Sequence, residues 1–203
     1  KAILLDIDSG GGEVEGNFEL ARMIRTIDVN HKPVVAIANG QAFSGAFSLG
    51  VAAGQFFVTP TGGVGSVGVI MQHVDFSKNN AMNGIQVTNI TSGEHKADFS
   101  SDFPLSESAK ETLQKEVDRT ADMFIGLVAE MRSISEDKVR ATEAALLFGE
   151  EAVNINFVDG MVSFEDLLET MVGSNFVGGF TKEQRMGTMK FLKKKSDADV
   201  PVE

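Results

Sequence analysis

Apolar positions along the chain fall into short runs separated by glycine-rich or polar breaks, and the runs differ in period. Ala2-Ile3-Leu4-Leu5-Asp6-Ile7 predicts a buried strand over 2–7. It gives way to a glycine turn, Asp8-Ser9-Gly10-Gly11-Gly12-Glu13-Val14, and then to helical spacing over about 14–27. Pro33-Val34-Val35-Ala36-Ile37-Ala38 is continuous, rich in β-branched residues and led in by proline, which predicts a second buried strand over 33–38. Beyond Gly40-Gln41-Ala42-Phe43-Ser44-Gly45, the residues Ala46-Phe47-Ser48-Leu49-Gly50-Val51-Ala52-Ala53 are small and apolar on every face. That pattern suits a helix buried in a core, so a sharp turn and a helix over 44–54 are expected, with Ser44 near its first residue.

Downstream, 55–59 reads as a short strand closed by Pro60, and Thr61-Gly62-Gly63-Val64-Gly65-Ser66-Val67-Gly68-Val69-Ile70-Met71 is glycine-studded and then β-rich. Such a stretch is expected where one backbone must lie against another or against a peptide. Ile85-Gln86-Val87-Thr88-Asn89-Ile90 predicts a further strand, followed by a loop through Asp98. Helical spacing then covers 106–131, 135–145, 150–155 and 163–171. Alternating strands and helices imply an α/β fold with a largely parallel, layered sheet. After Gly173 the composition changes: Gly178-Gly179 reads as a linker, 181–195 as a short basic helix and 196–203 as a polar disordered end. The expected organisation is one domain over 1–172 with a linker and basic tail over 173–203, the tail being either solvated or a tether to a partner. Because the chain opens directly on a strand pattern, residue 1 is expected to lie inside a longer protein.

Composition narrows the chemistry. With 203 residues, 42% hydrophobic and 23% charged, the chain is long enough to bury a core as an ordinary globular domain. There is no cysteine, which excludes disulfides, thiolate metal sites and a cysteine nucleophile, and three histidines leave little for a metal. No cofactor is expected. A net charge of −11 argues against general nucleic-acid binding, since phosphate contact needs clustered Lys and Arg. No apolar run approaches the ~18 residues of a membrane span.

A serine at a strand-to-helix turn presents its hydroxyl beside the unpaired N–H groups of the first helical turn, which can face a developing anion. The same position also suits a serine that merely caps the helix. The triple glycine 10–12 leaves backbone N–H groups unobstructed, but it lacks the Gly-Lys-Ser/Thr ending and the G-x-G-x-x-G spacing of nucleotide loops. Ser44 as nucleophile would need a base. Lys96, in Ser92-Gly93-Glu94-His95-Lys96-Ala97-Asp98, is one candidate. A lysine ordinarily titrates near 10.4, so such a base needs a depression of roughly three units, about 4 kcal/mol, from desolvation or a neighbouring cation. His73 with Asp159 as third member is the rival base.

Taken together and in order, Asp8-Ser9-Gly10-Gly11-Gly12-Glu13-Val14, Phe43-Ser44-Gly45-Ala46, Thr61-Gly62-Gly63-Val64-Gly65-Ser66-Val67-Gly68-Val69 and Ser92-Gly93-Glu94-His95-Lys96-Ala97-Asp98 resemble the signal peptide peptidase A family of Ser/Lys proteases over about 2–170. His73-Val74-Asp75 after the glycine stretch, and Pro104-Leu105-Ser106 after Lys96, make the chain most like the phage head maturation branch. The resemblance implies a Clp-protease/crotonase-like fold, a Ser44 nucleophile, a Lys96 base oriented by Ser66, and an oxyanion hole from the N–H groups of Gly11 and Gly45. It also implies that Gly62, Gly63 and Val64 hold substrate as an added strand. Gly10 stands where the family usually has proline, which leaves Gly12 open as the donor in place of Gly11. Phe43 and Phe47 are bulkier than the family's usual residues and either shape a specificity pocket or simply pack. The partners so implied are scaffold, capsid or portal proteins as substrates and further copies of the chain in a ring, within a phage prohead or the host cytoplasm. A membrane-associated signal peptide peptidase is the alternative if a preceding segment carries an anchor. A crotonase-type acyl-CoA enzyme, or a non-catalytic shell component, would share the fold without using the serine.

Overall fold

The computed structural model describes residues 2–173, and the linker and basic tail expected over 173–203 lie outside them from residue 174 on. The described residues divide into two compact units, one formed by those up to Gly68 together with those from Phe124, the other by Val69–Met123.

In the first unit, β1 (Ile3–Ser9), β2 (Val34–Phe43), β3 (Gln55–Val58), β4 (Gly63–Gly65), β5 (Leu146–Phe148) and β6 (Gly160–Met161) form one sheet in the order β5-β4-β2-β3-β6, with β1 paired to β2. Every pairing is parallel except β4 with β5. Strand β2 is the spine. Its first half pairs β3 from Val35↔Gln55 to Ala38↔Val58, and its last residues pair β4 from Gln41↔Gly63 to Phe43↔Gly65. Side chains alternate across a strand, so Val34, Ala36 and Ala38 enter one core while Val35 and Ile37 join Phe57, Val162 and Leu167 in another. Both faces are therefore covered, as a parallel sheet requires. Strand β1 has only β2 as a ladder partner among the described residues, and its side chains are half-buried rather than buried.

The helices of this unit are α1 (Asn17–Asn30), α2 (Gly45–Ala52), α5 (Glu136–Arg140), α6 (Glu150–Asn154), α7 (Phe164–Val172) and the last turns of α4 (Glu107–Arg132). Helix α2 is buried on all sides as its composition predicts, and its small residues have a use: a Cβ on Gly50 would sit 2.5 Å from the Phe56 ring. Phe47 packs between Phe56 and Phe157 at 5.9 and 5.1 Å between ring centres. Helix α1 starts three residues later than its apolar spacing suggests. Gly16 is left-handed at φ 73°, and the Asn17 N–H closes a turn on the Val14 carbonyl. At the other end of the unit, Arg132 grips Asp159 through two N–H···O bonds of 3.0 and 3.1 Å, and the same carboxylate accepts the Phe56 N–H at 2.8 Å.

Two sequence expectations fail in this region. The helix expected over 135–145 stops at Arg140; Glu143 and Ala144 take positive φ, and the chain returns as β5 along β4. The β-rich run through Met71 forms a ladder only over Gly63–Gly65. In the second unit, α3 (Ser77–Met82), a 3₁₀ turn (Glu94–Ala97) and the start of α4 are the regular elements. No strand forms over 85–90, where Ile85 and Ile90 are 54% and 97% exposed.

Candidate active site

Strand β2 runs without a break into Ser44, which caps α2 at φ 51°, ψ −126°. This is the mirror image of extended backbone, a region that side chains disfavour and that neighbours must hold in place. The Ser44 N–H donates to the Gly65 carbonyl at 2.8 Å, and the Ser44 carbonyl accepts from Phe47 and Ser48. Backbone bonds thus fix the elbow while Oγ makes no hydrogen bond among the described residues. Ser44 is half-buried, at the surface end of the sheet's central strand.

Gly11 lies directly against it. At φ 114°, a Cβ on Gly11 would come within 2.7 Å of the Ser44 Cβ and 3.0 Å of the Phe43 carbonyl, so only glycine fits. The Gly45 N–H is the first of α2 and has no partner within the helix, and a Cβ on Gly11 would stand 3.3 Å from that nitrogen. The loop 9–12 and the α2 N-terminus therefore converge on Ser44. The Gly11 N–H, however, donates to the Ser9 hydroxyl at 3.2 Å, whereas no described group accepts from the N–H of Gly12, which is exposed and has open space where a Cβ would stand.

Ser66 follows Gly65, the residue that holds the Ser44 N–H, and it too has positive φ, 55°, with its own N–H on the Ala145 carbonyl at 3.0 Å. Ser44, Gly11, Gly45 and Ser66 thus share one end of the first unit. Gly62, Gly63 and Val64 do not offer the open strand edge that was expected of them. All three are buried, and Gly63 and Val64 are paired on both sides, to Gln41 and Ala42 of β2 and to Phe148 and Leu147 of β5. Gly63 is glycine for packing: a Cβ would strike the rings of Phe43 and Phe148, which meet edge to face at 6.0 Å.

Lys96 belongs to the second unit, exposed on the 3₁₀ turn with its N–H on the Gly93 carbonyl at 3.2 Å. Its neighbour His95 bonds through Nδ1 to Asp98 at 2.8 Å, and that bond, with the nearby carboxylates of Asp98 and Glu94, raises the imidazole above the ordinary histidine range. Asp159 is committed to Arg132 and the Phe56 N–H, which removes it as the third member of a histidine triad. His73 in the second unit approaches the Phe103 carbonyl at 3.3 Å.

Asn17 and Ser48 escaped the sequence reading. The Asn17 Nδ2 donates to the Gly45 carbonyl at 3.1 Å, and its Oδ1 accepts from the fully buried Ser48 hydroxyl. A serine in a helix otherwise apolar on all faces was the available signal.

A parallel α/β sheet whose central strand ends in a strained serine elbow places the protein among the Clp-protease-like folds. A ClpP1 variant of Listeria monocytogenes shares this fold at TM-score 0.52 and 20% identity, over 81% of this chain and 75% of that one. The sequence profile of peptidase family S49 matches residues 27–175, and the chain belongs to that family. It is 36% identical over 203 residues to the capsid assembly protease C of Escherichia phage lambda, an alignment covering 96% of this chain and 46% of that protein. It is 35% identical over 182 residues to the head-tail preconnector protein GP5 of Enterobacteria phage P21, covering 88% of this chain and 36% of that protein. The chain thus spans less than half of either relative. No helix among the described residues is long and apolar enough to cross a membrane.

Proposed function

We propose that the chain is a serine endopeptidase in which Ser44 is the nucleophile and Lys96 the base. The observation that carries this is the elbow itself: a strained, backbone-fixed serine with glycine pressed against it and an unpaired helix N–H one residue on. Lys96, as the free amine, takes the hydroxyl proton while Oγ bonds to the scissile carbonyl carbon and the carbonyl electron pair moves onto oxygen. Collapse of this intermediate breaks the C–N bond, and the proton on Lys96 passes to the leaving amine. Water, deprotonated by the same amine, then releases the acyl group from Ser44.

The oxyanion needs two fixed donors, each worth roughly 10²–10³ in kcat. Gly45 supplies one. For the second, Gly12 is favoured over Gly11, whose N–H must first leave Ser9. Ser66, next to the residue that anchors Ser44, orients the lysine amine. Lys96 is exposed in the protomer, so substrate or another copy of the chain must strip its water for it to serve as base. Substrate lies over the open loop 10–12 rather than along β4, whose edges are filled.

Phage relatives named a capsid assembly protease and a head-tail preconnector protein support a role in capsid assembly; the substrates proposed are scaffold, capsid and portal proteins inside a prohead, cleaved by a protease of several copies. Incubation of the wild type, Ser44→Ala and Lys96→Ala with casein and with a fluorophosphonate tests the chemistry. Cleavage and Ser44 labelling confined to the wild type support the dyad. Cleavage that survives Lys96→Ala transfers the base to His73.

A further inference from the structure

We infer that Asn17 is a positioning residue that holds the two oxyanion donors at a fixed separation. The inference rests on the reading of Ser44 as nucleophile. One donor, the Gly45 N–H, sits on α2; the other is in the loop 10–12, which runs on through the Gly16 turn into α1. These are separate segments of chain, and Asn17, the first residue of α1, ties the segment that follows the loop to α2 beside the Gly45 donor.

Its geometry is determined by chemistry. A carbonyl only accepts, so the atom 3.1 Å from the Gly45 oxygen must be the amide nitrogen. That leaves Oδ1 facing Ser48, as one of the two acceptors within reach of its single hydroxyl hydrogen. The same hydrogen has a second acceptor, because Ser48 Oγ also lies within donating distance, 2.7 Å, of the Gly45 carbonyl. Asn17 thus clamps the peptide immediately after the oxyanion donor, and Ser48, buried in α2, holds the clamp in one rotamer. The clearance is small: a Cβ on Gly45 would be 3.0 Å from Asn17 Nδ2 and 3.5 Å from the Gly12 nitrogen. The same gap is therefore bordered by the clamp, by Gly45 and by the candidate second donor.

A residue that only stabilised the fold would not distinguish ground state from transition state. One that sets donor spacing acts where charge develops and leaves substrate binding alone. The experiment compares the wild type with Asn17→Asp, Asn17→Ala and Ser48→Ala. Readouts are kcat and KM on a peptide substrate, affinity for a peptide boronic acid that forms a tetrahedral adduct on Ser44, the rate of fluorophosphonate labelling, and thermal stability. Asn17→Asp keeps shape and the Ser48 bond but cannot donate when ionised. Leu167→Ala, in the core on the other face of the sheet, controls for destabilisation alone. Expected is a fall in kcat of roughly 10–100-fold in both Asn17 variants, a fraction of what losing a whole donor costs, with KM little changed and boronate affinity reduced in step. Ser48→Ala gives a smaller loss of the same kind. Unchanged kcat and boronate affinity in Asn17→Asp, or losses matched by Leu167→Ala at equal stability, would overturn the assignment. Absence of Ser44 labelling in the wild type would overturn the nucleophile reading itself, and this inference with it.

Discussion

Between Gly11 and Ser44 there is no room for a methyl group. A Cβ at 11 would stand 2.7 Å from the Ser44 Cβ at a φ that side chains avoid, so Gly11→Ala displaces both Ser44, the proposed nucleophile, and the loop that faces it. The expected result is a loss of kcat/KM on the order of 10²-fold or more, as for removal of a donor, with ~1–3 kcal/mol of stability lost to strain. Steady-state kinetics beside urea unfolding separates the two. At the turn that carries Lys96, the His95 imidazole is raised by its bond to Asp98. A raised pKa means the pair contributes below the unfolded histidine value and fades as pH climbs through the folded one. An NMR titration is expected to find the His95 midpoint above that of a free histidine, and Asp98→Asn to bring it back down.

Elements differ in what holds them. The Arg132–Asp159 pair keeps the end of α4 on the β3–β6 corner, with side chains only 9% and 15% exposed. Arg132→Ala leaves a carboxylate largely out of water and is expected to cost about 3 kcal/mol. Arg22→Ala, which breaks a pair 58% exposed on both sides, is expected to cost under ~1 kcal/mol. Urea midpoints for the two variants check the contrast. The same distinction explains which elements could be read in advance. The first half of β2 and helix α2 were legible because burial on all sides leaves an uninterrupted apolar run, whereas the continuation of β2 through the exposed Asn39, Gly40 and Gln41 to Phe43 was not. Strand β5 was not, since its three residues follow two positive-φ positions, Glu143 and Ala144, that carry no glycine to announce the turn. The run 85–90 has strand-forming residues but no ladder partner in the described protomer, and propensity does not say whether a partner exists. Asn17 was invisible for a related reason: its role depends on which carbonyl the fold brings opposite it.

At the scale of the whole molecule, the residues proposed for catalysis are divided between the two units, Ser44 and Ser66 on one and Lys96 on the other. The second unit is also where strongly exposed apolar side chains gather, with Ile70 93%, Met82 80% and Ile90 97% exposed. These add nothing to the protomer's own core, so Ile70→Ser with Ile90→Ser is expected to leave the unfolding free energy within ~0.5 kcal/mol per site, measured in urea. The backbone of Ser44 carries a different implication. At φ 51°, ψ −126°, glycine would sit there more easily than serine. Ser44→Gly is therefore expected to unfold at a higher urea concentration than Ser44→Ala. On the reading of Ser44 as nucleophile, serine persists here only while cleavage is selected for, and a descendant that no longer cleaves is expected to drift to glycine at this position.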